Sequence, residues 1–215
     1  MESIITKYCS KEWQDFVDLH KTILSFKAKT VIFDVGEQAK GIYIVNKGKV
    51  KVVANEVNGK QRLIRLAADG DILGHRGFGS DWAYPIFAIA LEQTQLTFIP
   101  MAIFTQLVKA NTELAYHLIM FFAEELRISE EKTMQIPVKN RVARALYMNY
   151  DAFGFSPDEP GKLSFTLSRR DLAGKAGTTY ETVIRELSEL NKKRTIKIAG
   201  KAIFILNLHE LKNLA

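Results

Sequence analysis

The chain has 215 residues, of which 47% are hydrophobic, and its 30 Lys and Arg residues outnumber its 24 Asp and Glu residues to give a net charge of +6. This length allows two domains with a core each, and without a run of 18 apolar residues or a signal-peptide pattern we expect a cytoplasmic protein with no membrane span. The only cysteine, Cys9, excludes an internal disulfide and an iron–sulfur cluster held by one subunit.

The first hundred residues predict a β-rich domain. Lys11–Ser25 has the apolar spacing of a helix, and after it short β-like segments alternate with Gly-containing turns. Several short strands at this spacing are typical of a double-sheet roll or barrel. We predict strands at Thr30–Phe33, Gly41–Val45, Lys49–Val53, Arg62–Ala67, Phe87–Leu91 and Leu96–Ile99.

Residues suited to catalysis are sparse. A metalloenzyme built on a β-roll needs two or three histidines and a carboxylate that converge, but only His75 lies in the strand region. No Ser-His-Asp or Cys-His arrangement and no phosphate-binding Gly motif is recognisable. We therefore predict that the protein is not an enzyme and holds no metal or cofactor.

A long helix is predicted at Asn111–Ile136, about 26 residues without Gly or Pro. Its apolar residues cover more than one stripe, so we expect it to pack both on its own roll and on the same helix of a second subunit. Pro137 ends it, which predicts domains at 1–110 (roll), 111–136 (dimerisation helix) and 137–215 (C-terminal domain). The predicted interface of the homodimer comprises Leu114, His117, Leu118, Phe121, Phe122 and Ile128.

Residues 168–190 have the pattern of a helix-turn-helix. Ser168 is a candidate N-cap with Asp171 returning a bond to the Ser168 amide, and Gly177 supplies a left-handed residue at the end of the first helix. We place the start of the second helix at Thr178. Its apolar stripe is Val183, Leu187 and Leu190.

The opposite side of this second helix carries Glu181, Ile184, Arg185 and Ser188. In a major groove Arg binds guanine O6 and N7 with two hydrogen bonds, and Glu accepts one from cytosine N4. The pattern therefore predicts a DNA-reading helix. An alternative for Glu181 is a capping box with Thr178, which needs no DNA.

A hairpin is predicted directly after the reading helix. Thr195–Ala199 and Lys201–Leu206 are β-branched runs on either side of Gly200. This is the wing of a winged helix-turn-helix, and its lysines are placed to reach phosphates. The residues predicted to contact DNA are Ser168, Arg169, Thr179, Tyr180, Glu181, Ile184, Arg185, Ser188, Lys197 and Lys201.

The distribution of charge agrees with this assignment. Residues 137–215 contain 14 basic and 8 acidic residues, whereas residues 1–136 contain 16 of each. The whole positive excess thus lies in the part with the helix-turn-helix, as a domain that neutralises phosphates requires.

The order of these parts resembles the Crp/Fnr family of bacterial transcription regulators. The stretches that resemble it most are GIYIVNKGKVKV (Gly41–Val52), GDILG (Gly70–Gly74) and TTYETVIREL (Thr178–Leu187). The resemblance implies an α+β fold with a β-roll like that of cyclic-nucleotide-binding domains, a long dimerisation helix and a C-terminal winged helix-turn-helix. It also implies a homodimer on inverted-repeat double-stranded DNA and contact with RNA polymerase. Glu181 and Arg185 match the family's base-reading pair, whereas Tyr180 and Ile184 depart from its pattern.

The family's effector site is altered in this chain. Where the cyclic AMP receptor has a Glu after the GDxxG turn, this chain has His75 followed by Arg76, and its Arg-Ser pair for the phosphate is replaced by Pro85–Ile86 or Ile86–Phe87. Without a cation at that place we expect no cyclic AMP binding. Arg76 leaves open the binding of a different anion. The aromatic residues Trp82, Tyr84 and Phe87 either line an apolar pocket or belong to the core. The candidate pocket residues are His75, Arg76, Trp82, Tyr84, Phe87 and Ser129, and the small-molecule effector is unknown.

A second function has to be weighed against DNA binding. A ligand-binding signalling module of the same roll, acting through protein partners, would need no basic winged domain. The charge distribution and the Glu181/Arg185 pair favour the DNA-binding regulator.

Overall fold

Two four-stranded sheets form the β-rich part of the protein, in a computed structural model that describes residues 3–55, 61–79, 81–130 and 136–215. The chain divides into two units, Met1–Val52 with Ala67–Glu131 and Val53–Leu66 with Lys132–Ala215. Among the helices of the described residues, none is both long enough and apolar enough to cross a membrane.

The β-rich part begins with two helices and continues through short strands to a helix pair. The strand orders of the two sheets are β1-β8-β3-β6 and β2-β7-β4-β5. The elements are α1 (Ile4–Tyr8), α2 (Lys11–His20), β1 (Thr22–Phe26), β2 (Val31–Phe33), β3 (Gly41–Lys47), β4 (Val50–Asn55), β5 (Gln61–Ala67), β6 (Ile72–Leu73), a 3₁₀ turn (His75–Gly77), β7 (Phe87–Ala90), β8 (Thr94–Pro100), α3 (Met101–Ala110) and α4 (Thr112–Glu130).

The core of the roll lies where apolar strand residues face inward. Strand β8 pairs antiparallel with β1 and with β3, and in the second pairing Ile42 is opposite Ile99. Both side chains are fully buried, as is Leu96. Burial of such side chains is the main stabilising contribution, at roughly 1.5–3 kcal/mol each. The predicted double-sheet roll is confirmed.

The predicted helix Lys11–Ser25 is too long. Helix α2 ends at His20, and Thr22–Phe26 forms β1, which pairs with β8 in the register Thr22↔Phe98 to Phe26↔Thr94. The apolar residues at 19, 23 and 24 continue the helical pattern, but the free edge of β8 offers a full ladder of backbone hydrogen bonds. Pairing with a distant strand therefore overrides the local pattern.

The long helix α4 agrees with the prediction over the residues that the structure describes. It spans Thr112–Glu130, residues 131–135 lie outside the described residues, and Ile136 adopts a bend. A residue before proline is disfavoured in the helical conformation, which accounts for Ile136.

The predicted dimer interface needs a correction. Leu114 and Leu118 are buried in the core of the chain's own roll, and Phe121 packs against that core. The His117 ring stacks on Tyr8 of α1 with centroids 4.3 Å apart. Leu114 and Leu118 therefore serve the fold of one subunit, whereas His117 and Phe121 are only half-buried and their place in the interface stays a prediction. The exposed apolar side chains of α4 are Tyr116, Ile119, Met120, Phe122, Leu126 and Ile128.

The C-terminal part is a helical bundle with a two-stranded sheet. Helix α5, which is absent from the sequence prediction, supplies Val142 and Leu146 to a core that also buries Leu172 and Leu211. The hairpin strands pair antiparallel. The elements are α5 (Val138–Phe153), α6 (Arg169–Ala176), α7 (Tyr180–Lys192), β9 (Ile196–Ala199), β10 (Ala202–Ile205) and α8 (Leu208–Leu214).

Candidate nucleic-acid interface

Helix α6 has the start and end that its sequence predicts. The Ser168 hydroxyl accepts a hydrogen bond from the Asp171 amide at 3.1 Å and donates to the Asp171 carboxylate at 2.7 Å, whereas the expected donor to this carboxylate was the Ser168 amide. Gly177 ends the helix in the left-handed conformation with φ of 57°. Glycine adopts this conformation without the steric cost of a Cβ, so the sharp turn into α7 is set locally.

The N-cap of helix α7 lies one residue later than the predicted Thr178. It is Thr179, whose hydroxyl accepts from the Thr182 amide at 3.2 Å. A capping box from this position involves Thr182, not Glu181. The alternative that Glu181 caps the helix with Thr178 is therefore wrong, and its exposed carboxylate is not committed to the helix start.

The two sides of α7 differ sharply in burial. Val183, Leu187 and Leu190 are buried, as the apolar stripe predicts. The opposite side is exposed over two turns of helix. It carries Tyr180, Glu181, Ile184, Arg185 and Ser188, which we call the α7 face. The buried stripe thus holds the helix in place while the α7 face stays open to a ligand.

Arg185 is the cation at the centre of the α7 face. Its guanidinium lies 3.3 Å from the carboxylate of the neighbouring Glu186, and the side chain is 68% exposed. Ion pairs this exposed contribute little stability. A base edge therefore competes easily with Glu186 for the guanidinium.

The hairpin β9–β10 is attached to the end of α7. The Asn191 side-chain oxygen accepts from the Ile198 amide at 3.0 Å, and the Thr195 amide bonds to the Leu190 carbonyl at 3.1 Å. The two-residue turn between the strands exposes Lys201, and the Lys197 ammonium lies 5.6 Å from the centre of the Phe204 ring. The wing therefore presents two cations on a firmly held hairpin.

Arg169 connects α6 with the wing. Its guanidinium donates to the carbonyl of Lys201 at 3.4 Å, and burial lowers the pKa of the arginine. Of the other predicted contact residues, Ser168 and Thr179 are exposed at the starts of α6 and α7. The winged helix-turn-helix thus brings together the residues that the sequence singles out.

Two buried polar residues of α5 support this arrangement and are missing from the prediction. The Arg141 guanidinium donates to the carbonyl of Gly177 at 3.2 Å. The Asn149 side chain donates to the Phe165 carbonyl and accepts from the Leu167 amide. Both residues lie on the buried stripe with Val142 and Leu146. A polar residue on an apolar stripe is the sequence feature that could have identified them, because buried polar groups are hydrogen-bonded.

The predicted effector residues of the roll do not converge. Tyr84 is buried, with its hydroxyl donating to the Gly41 carbonyl at 2.7 Å, and Phe87 is buried in β7. Trp82 is exposed and touches Phe78. The side chain of Ser129 lies outside the described residues. The alternative that these aromatic residues are core is thus correct for Tyr84 and Phe87.

His75 and Arg76 do share one partner. Both donate to the carboxylate of Glu125 on α4, each at 3.1 Å. Glu125 was not predicted as a site residue. It continues the stripe of Leu114, Leu118 and Phe121 that packs on the roll. A carboxylate on such an apolar stripe is the sequence feature that could have identified Glu125 as a site residue.

Both parts of the chain match known protein families. Residues 23–111 match the family of cyclic nucleotide-binding domains, and residues 140–214 match that of Crp-like helix-turn-helix domains. The fumarate and nitrate reduction regulatory protein of Vibrio cholerae serotype O1 is 28% identical over 190 residues, which cover 86% of this chain and 74% of that protein.

Solved structures of other regulators are similar to this chain. A transcriptional regulator of the CRP/FNR family from Thermus thermophilus is 30% identical, with a TM-score of 0.73 over 90% of this chain and 98% of that one. FixK2 from Bradyrhizobium japonicum is 25% identical, with a TM-score of 0.76 over 90% of this chain and 96% of that one.

These features define a DNA-binding regulator with a roll of the cyclic nucleotide-binding type. The chain belongs to the CRP/FNR family of transcriptional regulators. The resemblance, the fold class and the regulatory function predicted from the sequence are confirmed, and a module acting only through protein partners is not favoured.

Proposed function

We propose that the protein binds inverted-repeat sites in double-stranded DNA as a homodimer, with α7 of each protomer in the major groove. The observation that carries this proposal is the exposed α7 face on a helix whose opposite side is buried. Two such helices related by a two-fold axis reach successive major grooves about 34 Å apart.

Each residue of the interface has a role that its chemistry suits. Arg185 binds guanine with two hydrogen bonds and Glu181 accepts from the paired cytosine, so each half-site contains a defined G·C pair. Tyr180, Ile184 and Ser188 contact the flanking bases. The phosphates are bound by Ser168, Arg169, Thr179, Lys197 and Lys201, which fix the register without reading sequence.

The homodimer forms through the exposed apolar side chains of α4. Ile119 and Leu126 are 64% and 60% exposed, an unfavourable state for residues of this size unless a second copy covers them. In this proposal 1–110 is the sensory roll, 111–136 the dimerisation helix and 137–215 the DNA-binding domain. A protein bound to bacterial chromosomal DNA acts in the cytoplasm, and there it influences RNA polymerase rather than catalysing a reaction.

Selection of duplexes from a random library tests the proposal. The wild-type protein is expected to recover an inverted repeat with a fixed G·C pair in each half. Arg185→Ala should recover sites with that pair relaxed, at a cost of about 1–3 kcal/mol per half-site. Lys212→Ala, which removes one positive charge from α8, serves as the matched control and should keep the selected sequence.

Two outcomes contradict the proposal. If the wild type selects no inverted repeat, with or without cell extract to supply an effector, the protein is not a site-specific regulator of this kind. If Arg185→Ala selects the same sequence with the same preference as the wild type, the α7 face does not read the bases.

A further inference from the structure

The 3₁₀ turn His75–Gly77 is held in one conformation. Gly74 opens it with φ of 79°, a conformation that favours glycine. A Cβ on Gly77 would lie 2.5 Å from the Cβ of Ala39, so this position requires glycine. The side chains of His75 and Arg76 therefore start from a rigid base on the roll.

These two side chains meet a carboxylate from the long helix. Glu125 Oε2 lies 3.1 Å from His75 Nε2 and 3.1 Å from Arg76 Nε. The side chain of Glu125 is 14% exposed and that of His75 only 6%. Such charge-assisted hydrogen bonds in a site with little water are strong and directional.

Apolar contacts surround the site on the side of α4. The His75 ring lies 5.1 Å from Phe121 and 5.5 Å from Phe122, measured between ring centroids. Burial raises the pKa of Glu125, but the hydrogen bonds and charges of His75 and Arg76 outweigh it and lower the pKa to about 2. The carboxylate is thus ionised at every physiological pH.

We propose that His75 and Arg76 form an anion site whose ligand is the carboxylate of Glu125 from the same chain. The roll is thereby joined to α4 without any small anion, and the protein binds its DNA site without an added anionic effector. The inference about DNA binding without an added effector rests on the function proposed above. Glu125 acts as a positioning residue, since its carboxylate holds α4 on the turn of the roll.

Chemical rescue of Glu125→Ala by formate tests the site. The substitution removes the carboxylate and leaves room for a small one, so we expect the melting temperature of the full chain to fall by roughly 5 °C or more. Sodium formate should restore part of this loss, and sodium chloride at equal concentration should not. Glu124→Ala, which removes the same charge from the exposed neighbour paired with Arg127, should show neither effect.

A second variant shows whether the rescue depends on the cation. In Glu125→Ala with Arg76→Ala, formate should act no better than chloride. If Glu125→Ala does not fold in chloride, the refolding yield replaces the melting temperature. Recovery in formate alone supports the proposal, and equal yields in formate and chloride contradict it.

The affinity for the selected DNA site shows whether DNA binding depends on the contact that Glu125 makes from α4. Wild type should bind without added effector, Glu125→Ala should bind about tenfold more weakly or worse, and formate should recover part of the affinity relative to chloride. Unchanged DNA affinity with no formate effect on melting overturns the proposal. If instead the wild type recognises no DNA site, the proposed function fails while the melting data still decide on the anion site.

Discussion

The hydroxyl of Thr179 accepts a hydrogen bond from the amide of Thr182 at 3.2 Å, and this bond closes the first turn of α7. Because Thr179 is the N-cap, Glu181 does not cap the helix. The explanation of Glu181 that requires no DNA is thereby excluded. The two residues can therefore be tested independently.

Glu181→Ala is expected to change specificity and leave stability nearly unchanged, within about 0.5 kcal/mol, because the side chain is exposed. Thr179→Ala should lower the free energy of unfolding by about 1 kcal/mol through loss of the cap. Urea unfolding and competition between site variants measure the two effects. A Glu181→Ala protein that is destabilised by the full cap value, with intact specificity, would return Glu181 to a structural role.

Leu126→Glu should break the dimer without unfolding the subunit, because Leu126 is 60% exposed on α4 and is not part of the core. Phe121→Glu should instead destabilise the subunit itself, since Phe121 packs on the core and beside His75. Sedimentation and circular dichroism separate the two outcomes. Wild-type protein that sediments as a monomer at micromolar concentration would contradict the proposed interface.

Cyclic AMP is expected not to bind with useful affinity. His75 takes the position of the Glu that the cyclic AMP receptor uses, and Arg76 already bonds to Glu125. The Arg-Ser position holds Pro85–Ile86 or Ile86–Phe87, neither of which offers a cation for a phosphate. Each missing charge-assisted bond is worth roughly 1.5–3 kcal/mol. Calorimetry is the measurement, and micromolar binding would refute the expectation.

The stability difference between wild type and Glu125→Gln should depend on pH. The folded-state pKa of Glu125 is lowered to about 2, below its ordinary value of 4.5, so the carboxylate stabilises the fold above the unfolded-state pKa. The difference should be full above pH 5, on the order of 3 kcal/mol, and vanish as the pH falls from about 4.5 through about 2. The facing charges are His75 and Arg76 on the turn. A difference that stays constant over this range would contradict the assigned ion pair.

Cys9 should react slowly with thiol reagents in the native protein. It is buried, and burial raises the pKa of its thiol to about 11, so it stays protonated at neutral pH. Iodoacetamide should modify it readily in urea and only slowly without urea. Rapid native alkylation at pH 7.5 would contradict this expectation and show that the thiolate is accessible.

Local patterns in the sequence determined the elements whose geometry is set within one or two turns of chain. The cap at Ser168, the left-handed Gly177 and the buried stripe of α7 depend on neighbours a few residues away, so their positions follow from spacing alone. The same periodicity identified the α7 face. The N-cap of α7 was predicted one residue early because two adjacent threonines are equally good caps, and only the backbone conformation decides between them.

Contacts between distant residues could be decided only by the tertiary structure. Strand β1 exists because the edge of β8 accepts it, 70 residues or so further along the chain. The ion pair of His75 with Glu125 joins residues 50 apart, and Arg141 reaches Gly177 across 36. No local pattern encodes such a pairing, since each partner alone is a polar group that water would satisfy equally well. Folding brings the partners together and removes the water, and that step creates both the support of the reading helix and the proposed anion site.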